Sequence, residues 1–205
     1  MVSRLRCFIG GILFCFFTSS FALHATENDD LVKAMMEVYA EELAANPQDY
    51  RTYYSRAMAY FGQGDMKKAL SDIDNAIKYF PRKEKVDLAQ AYLLRAKILS
   101  ERGETKSALT DLNSALRLVP NHRLALKDRG DLLCRLGQYD MAKIDYNHLL
   151  RMDTRSQSAF MGLARVEAHT GQPVRAKDLL AQAVNLSPKD PKIYLERSEI
   201  YKEMD

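Results

Sequence analysis

Cysteine, proline and glycine are all scarce in this chain, which has 3, 6 and 9 of them among its 205 residues. Such low counts exclude a disulfide-framed domain, a collagen-like repeat and a proline-rich disordered chain. Neither sign of charge predominates, because the formal net charge is +3, and charge alone gives no case for nucleic-acid binding. What remains, at 47% hydrophobic and 28% charged residues, is the composition of an ordinary globular protein.

The N-terminus, MVSRLRCFIGGILFCFFTSSFALHA, has the pattern of a secretory signal. Arg4 and Arg6 precede a short apolar run, and the small residues Ser20 and Ala22 then offer a cleavage site. The run is shorter than the roughly 20 residues that span a bilayer, so we expect no membrane span after cleavage. An anchor that stays uncleaved is the alternative. The sequence therefore predicts an exported protein, periplasmic or extracellular, with residues 1–22 as the signal peptide.

Loss of the signal would remove Cys7 and Cys15 and leave Cys134 as the one cysteine of the mature chain. An intramolecular disulfide is then excluded, and Cys134 is predicted to be a reduced thiol in a helix or a bridge to another molecule. The sequence has no His or Cys pair at metal-ligand spacing, no glycine-rich phosphate loop and no nucleophile elbow. We therefore predict no catalytic residues, no metal and no cofactor, and a protein that is not an enzyme.

Four glycines divide the chain into similar units. They stand 39, 34 and 34 residues apart: Gly64, Gly103, Gly137 and Gly171. With each glycine at position 15 of a 34-residue unit, position 4 is always large, position 8 small and position 20 alanine, and position 32 is proline in three units. The units are residues 50–83, 89–122, 123–156 and 157–190. We expect the residues inserted before 89 to lengthen the first helix of the second unit.

The first unit reads Tyr53-x2-Arg56-Ala57-x2-Tyr60, then Ala69-x3-Ile73, then Ala76 and Pro81. This pattern resembles the tetratricopeptide repeat (TPR) family, and the resemblance covers four successive units. It implies an all-α fold in which helix-turn-helix repeats stack into a right-handed α-solenoid. Residues 23–49 would then be a linker and N-terminal capping helix, and residues 191–205 a C-terminal cap or half-repeat.

The residue types at these positions suit a hairpin of two helices. Small residues let the two helices approach closely, the glycine suits the left-handed residue that ends the first helix, and Asp65 can cap the second. Three polar residues stand where first helices need caps, and a proline suits the first helical position of the last one: Asp49, Asn121, Asp190 and Pro191.

A charged pair recurs inside the units. Position 7 is arginine and position 23 aspartate in the first three units: Arg56 with Asp72, Arg95 with Asp111, and Arg129 with Asp145. In the fourth unit both positions are leucine, Leu163 and Leu179. Because the charges appear and disappear together, we predict a structural ion pair within each of the first three units. Binding of an anionic ligand by the arginines is the alternative.

The resemblance also implies that the first helices line a concave groove. The residues carried over to it are Tyr54, Met58, Phe61, Leu93, Lys97, Lys127, Asp131, Met161 and Arg165. The first three would form an apolar end, unless they pack against the N-terminal helix. Lys97, Lys127 and Arg165 would form a cationic middle, which predicts a partner with acidic groups after its apolar anchors. The Lys/Asn/Arg clamp by which some family members hold chaperone tails is absent.

These observations predict a non-catalytic scaffold that binds another protein or peptide in the groove, with no nucleic-acid partner. Two alternatives stay open. The protein could be a structural envelope component that associates with itself through its repeat ends or through Cys134, or it could be the N-terminal segment of a larger secretion or envelope assembly.

Overall fold

The structure is a computed structural model that describes residues 31–204, and all regular structure in that range is helical. The first helix, α1, covers residues 31–45. It is followed by α2 (Tyr50–Gly62), α3 (Met66–Tyr79), α4 (Lys85–Glu101), α5 (Thr105–Leu118), α6 (Arg123–Arg135), α7 (Tyr139–Met152), α8 (Gln157–His169), α9 (Pro173–Leu186) and α10 (Pro191–Met204). The predicted signal peptide lies outside the described residues. The prediction of an all-α repeat fold is confirmed.

Helices α2 to α9 form four antiparallel hairpins, one in each predicted unit. The second helix of each hairpin packs against the first helix of the next, so that α3 contacts α4, α5 contacts α6 and α7 contacts α8. Helix α10 packs on α8 and α9. At the other end, α1 is joined to α2 by a hydrogen bond of 2.8 Å from the Thr52 hydroxyl to Glu42. Such stacking buries a continuous core that no single hairpin could supply.

Each hairpin turns at one of the four periodic glycines, whose φ lies between 71° and 78°. That left-handed conformation costs glycine little because it has no Cβ. In the first hairpin Asp65 then caps α3 by accepting a hydrogen bond of 3.0 Å from the Lys68 amide. The predicted roles of the glycines and of Asp65 are confirmed.

One predicted helix cap is wrong. Asp49 does cap α2, but the N-cap of α6 is His122, whose Nδ1 accepts from the Ala125 amide at 3.3 Å. Asn121 lies one residue too early, and its Oδ1 contacts His148 Nε2 at 2.9 Å. An imidazole nitrogen can replace the carboxylate or amide oxygen that the sequence pattern favours at this position.

Alanines let the hairpins close tightly. The alanine at position 20 is fully buried in all four repeats: Ala69, Ala108, Ala142 and Ala176. Larger side chains from the second helices fill the space beside them, including Ile73, Leu112 and Leu180, at roughly 1.5–3 kcal/mol for each fully buried side chain. The predicted lengthening of α4 is confirmed, since it has 17 residues where α2 has 13, and the added turn buries Leu88.

Candidate functional site

The first helices of the repeats line one side of the stack, here called the groove. Three clefts lie along it. The α2–α4 cleft has a volume of about 270 Å³ and includes Tyr54 and Asp87. The central cleft, of about 260 Å³, lies between α4 and α6, with Phe61 of α2 on its wall. The α6–α8–α10 cleft, of about 570 Å³, includes Lys127, Arg165 and Glu199. The groove therefore offers an extended row of depressions rather than one enclosed cavity.

The predicted apolar end of the groove is formed by α2. Met58 is 50% exposed, whereas Tyr54 and Phe61 are half-buried and pack against the core of the first two repeats. Burial raises the pKa of the Tyr54 hydroxyl, so this ring stays neutral. Tyr54 also lines the α2–α4 cleft, and Phe61 lines the central cleft. Both side chains therefore belong to the core and to the groove surface.

The predicted cationic middle of the groove is wrong in that its positive charges are not uncompensated. Each of the three cations lies beside an aspartate of the groove. Lys97 Nζ is 3.8 Å from Asp128, Lys127 Nζ donates to Asp131 at 2.7 Å, and Arg165 lies 4.0 Å from Asp131. The middle of the groove is thus a mixed network of both signs. The reason for expecting an acidic partner is removed.

Asp128 is the member of this network with the least complete set of contacts. Its Oδ2 is buried and accepts no hydrogen bond from any residue that the structure describes. Lys97 Nζ is 3.8 Å from Oδ2 and Lys127 Nζ is 3.8 Å from Oδ1, and both distances are beyond that of a hydrogen bond. Burial raises the pKa of the Asp128 carboxyl, and this outweighs the opposing effect of the two nearby lysines, Lys97 and Lys127.

The Tyr146 side chain extends from α7, a second helix, to the first helices that line the groove. Its contact with the groove was not predicted. Its ring is fully buried, and its hydroxyl donates to Asp131 Oδ1 at 2.6 Å. The ring passes beside two glycines of the first helices. A Cβ at Gly130 would lie 2.8 Å from it, and a Cβ at Gly162 only 2.2 Å.

Burial and the adjoining carboxylate raise the pKa of Tyr146 far above its ordinary value, so the hydroxyl remains a donor. Tyr146 therefore holds Asp131 in place, and Asp131 in turn holds Lys127. A sequence signal existed: a tyrosine replaces the Ile or Leu found at position 24 of the other repeats, and two glycines lie inside neighbouring helices.

Two predicted groove residues are not available at the surface. Leu93 is 5% exposed and Met161 4% exposed, and both belong to core clusters. Leu93 packs in the core around α4 to α8, and Met161 packs with Leu180 and Ile193, although Met161 also lines the α6–α8–α10 cleft. These two assignments to the binding surface are corrected to core packing.

The repeated arginine and aspartate meet inside each of the first three hairpins. Nε and one terminal nitrogen of each arginine bind the two carboxylate oxygens of the aspartate, at distances between 2.6 and 2.9 Å. Each of the three aspartates is buried. Such two-pronged contacts use the planar geometry of the guanidinium and leave little room for an external anion.

The same arginines also connect neighbouring repeats, which the sequence reasoning missed. Arg95 donates to Asp74 of the preceding repeat at 2.8 Å, and Arg129 donates to Asn113 of its preceding repeat at 2.7 Å. Both acceptors stand at position 25 of their units. The polar residue at position 25, one repeat before the arginine, was the sequence signal that could have predicted these contacts between repeats.

Cys134 is 6% exposed and lies 3.9 Å from the Tyr146 hydroxyl. A disulfide between copies through this thiol would require the repeat to open, so the structure contradicts that route to association. In the described part of the chain no three or more His, Cys, Asp or Glu side chains are placed to hold a metal ion. Within residues 31–204 no helix combines the length and hydrophobicity needed to cross a bilayer.

Comparisons with known proteins agree with this architecture. A tetratricopeptide repeat protein from Parabacteroides merdae is 27% identical, with a TM-score of 0.76 over 87% of this chain and 69% of its own. YrrB, described as a TPR protein with an unusual peptide-binding site, is 18% identical, with a TM-score of 0.69 over 84% of this chain and 86% of its own. MamA is also 18% identical, with a TM-score of 0.66 over 75% of this chain and 87% of its own.

No curated protein sequence matches the chain. The sequence profile of the tetratricopeptide repeat family matches residues 36–83, 54–123, 93–143 and 127–191, which together extend from α1 into α10. With four hairpins in the same register, glycine turns at each and a profile match over most of its length, the chain belongs to the tetratricopeptide repeat family.

Proposed function

We propose that the protein is a non-catalytic scaffold that holds a segment of another protein in its groove. The observation that carries this proposal is the row of three clefts along the first helices, which continues from α2 to α10. A row of shallow depressions suits an extended peptide better than a compact small molecule, which favours a single concave pocket. The description of YrrB as a peptide-binding TPR protein supports the same use of a similar fold.

The two halves of the groove would contribute different interactions to binding, apolar contacts at α2 and charged contacts around Asp131. Met58 offers half of its surface for contact, next to the partly buried rings of Tyr54 and Phe61. Apolar anchors of the partner would gain most of their affinity there. The mixed charges around Asp131 mainly set the orientation of the segment and its rate of association.

We also propose that the protein is exported and works in the periplasm or outside the cell. This part rests on the charged, apolar and small-residue order of the N-terminus, and it is independent of the groove.

A random peptide library displayed on phage and selected on the purified chain would test groove binding. We expect enriched peptides to share apolar anchors and to lose roughly tenfold or more in affinity when Met58→Glu removes the exposed apolar contact. Met141→Glu on α7 is a matched control, because Met141 is 55% exposed, close to the 50% of Met58, and lies on a second helix rather than on the first helices that line the groove. Circular dichroism and Tm should be unchanged in both variants.

The proposal fails if no peptide is enriched, or if the Met141 variant loses binding while the Met58 variant retains it. The second outcome would place the interaction on the outer surface of the second helices.

A further inference from the structure

The central cleft holds a carboxylate and an ammonium group that lie close together without a hydrogen bond between them. Asp128 Oδ2 is buried and accepts no hydrogen bond from any residue in the described range. Lys97 Nζ is 3.8 Å from this oxygen, and within residues 31–204 it has no hydrogen-bond acceptor either. Both side chains line the cleft. The two groups, here called the polar pair, are thus an acceptor and a donor whose hydrogen bonds are still unmade.

Neighbouring polar groups of the same cleft are already engaged. Asp131 accepts hydrogen bonds from the Tyr146 hydroxyl at 2.6 Å and from Lys127 Nζ at 2.7 Å. Arg135 donates to the Ser100 hydroxyl at 2.9 Å. The polar pair is therefore the place where a ligand would find a buried acceptor that no described group satisfies. A donor supplied to such an atom gains more than one supplied to a solvated oxygen, because the cost of burial has already been met.

The charges of the polar pair select the kind of ligand. A cationic group that reaches Asp128 would meet the Lys97 ammonium, and an anionic group that reaches Lys97 would meet the Asp128 carboxylate. A neutral group with a donor and an acceptor side by side avoids both repulsions. A primary carboxamide is such a group, since its NH2 and its oxygen lie about 2.3 Å apart and point to the same side.

The shape of the cleft favours a side chain over the main chain of a bound segment. The cleft has a volume of about 260 Å³, and Phe61, Ala96 and Leu132 supply apolar walls for methylene groups. Asp128 Oδ2 is buried, so only a slender group that enters the cleft can approach it. Access requires a neighbouring side chain to move, and Lys97 has that freedom because its side chain is 42% exposed.

We propose that the central cleft receives the side chain of an asparagine or glutamine of the bound segment. Its NH2 group donates to Asp128 Oδ2, and its oxygen accepts from Lys97 Nζ. This inference rests on the proposed function, since it names one residue type of the segment that the groove holds. It makes the polar pair a determinant of specificity, because a group that lacks either the donor or the acceptor leaves one partner unsatisfied.

The peptides selected from the phage library test this inference. We expect the enriched peptides to carry an asparagine or glutamine at a constant distance from their apolar anchors. Replacement of that residue by leucine should weaken binding to the wild-type chain roughly tenfold, because leucine has similar size and no polar atoms. The lysine and glutamate analogues should also bind more weakly than the selected peptide. Isothermal titration calorimetry measures each affinity.

A double-mutant cycle assigns the effect to the polar pair. On Asp128→Ala the leucine penalty should fall below about twofold, and on Lys97→Met, at an exposed site, it should also decrease. Glu101→Ala is the matched control, because Glu101 lines the same cleft but is exposed, and the penalty should there remain roughly tenfold. Circular dichroism should show the same helix content in all three variants.

Enriched peptides without a shared carboxamide, or a leucine penalty that is unchanged in both the Asp128 and the Lys97 variants, would overturn this inference and leave groove binding standing. A lysine or glutamate analogue that binds more tightly than the selected peptide would also overturn it, because the cleft would then be a site for a charged group. If the library yields no binding peptide, the proposed function fails and this inference fails with it.

Discussion

Arg129 and Asp145 are joined by two parallel hydrogen bonds, from Nε to Oδ2 at 2.8 Å and from Nη2 to Oδ1 at 2.6 Å. The aspartate side chain is only 2% exposed. Arg129→Leu alone, or Asp145→Leu alone, should lower the free energy of unfolding by about 3–5 kcal/mol because each leaves a buried charge without its partner. The double leucine variant should recover most of the loss, as the natural pair Leu163 and Leu179 suggests. Urea unfolding measures all three.

A matched control for this cycle is Arg123→Leu, which breaks the pair of Arg123 and Asp153 at 3.3 Å, where both side chains are well exposed. Its cost should stay below about 1 kcal/mol. Strictly additive losses in the Arg129 and Asp145 cycle would mean that the two side chains do not interact in solution.

Gly162→Ala tests the packing of Tyr146. The new Cβ would lie 2.2 Å from a fully buried ring, so overpacking of roughly 1–3 kcal/mol should exceed the gain in helix propensity of about 1 kcal/mol. Adding Tyr146→Leu, the residue type found at this position in the second and fourth repeats, should restore much of the stability. Gly62→Ala is the control, because nothing lies within 4 Å of its Cβ position, and it should not destabilise. A Gly162 variant as stable as the Gly62 variant would show that the ring does not occupy this gap.

Asp128→Asn should change how stability depends on pH. Burial raises the pKa of the Asp128 carboxyl, so the folded protein binds this proton more tightly than the unfolded chain does. This group's contribution to stability is therefore present at low pH and is lost as pH rises from the ordinary aspartate pKa near 4 through the raised folded pKa. The difference in free energy of unfolding between variant and wild type should be constant in acid and should shift in favour of the variant towards neutral pH. Urea titrations at several pH values measure it, and a shift in favour of the wild type would show that the lysines outweigh burial.

The N-terminus of the protein from its native host should be Leu23 or Thr26, because cleavage is expected after Ala22 or Ala25. Intact mass together with N-terminal sequencing decides this. A chain that retains Met1 and stays in the membrane after a carbonate wash would favour an uncleaved anchor.

Much of the fold was readable from the chain because its determinants are local and occur four times. Gly64 and its three counterparts mark the turns, since only glycine adopts positive φ without strain, and the buried alanines mark the faces where helices meet closely. The partnership of Arg129 with Asp145 was also readable, because both charges are absent from the fourth repeat.

The surface of the groove could not be predicted in the same way, because it depends on contacts between repeats that no pattern within one repeat reveals. The Lys97 ammonium lies near Asp128 of the next repeat, and Tyr146 crosses from α7 to Asp131 only because two glycines in different helices leave space for its ring. The sequence by itself determined the repeat, its turns and its internal ion pairs. Tertiary structure decided which groove residues are buried and which charges are balanced, because both follow from how one hairpin is rotated and set against the next.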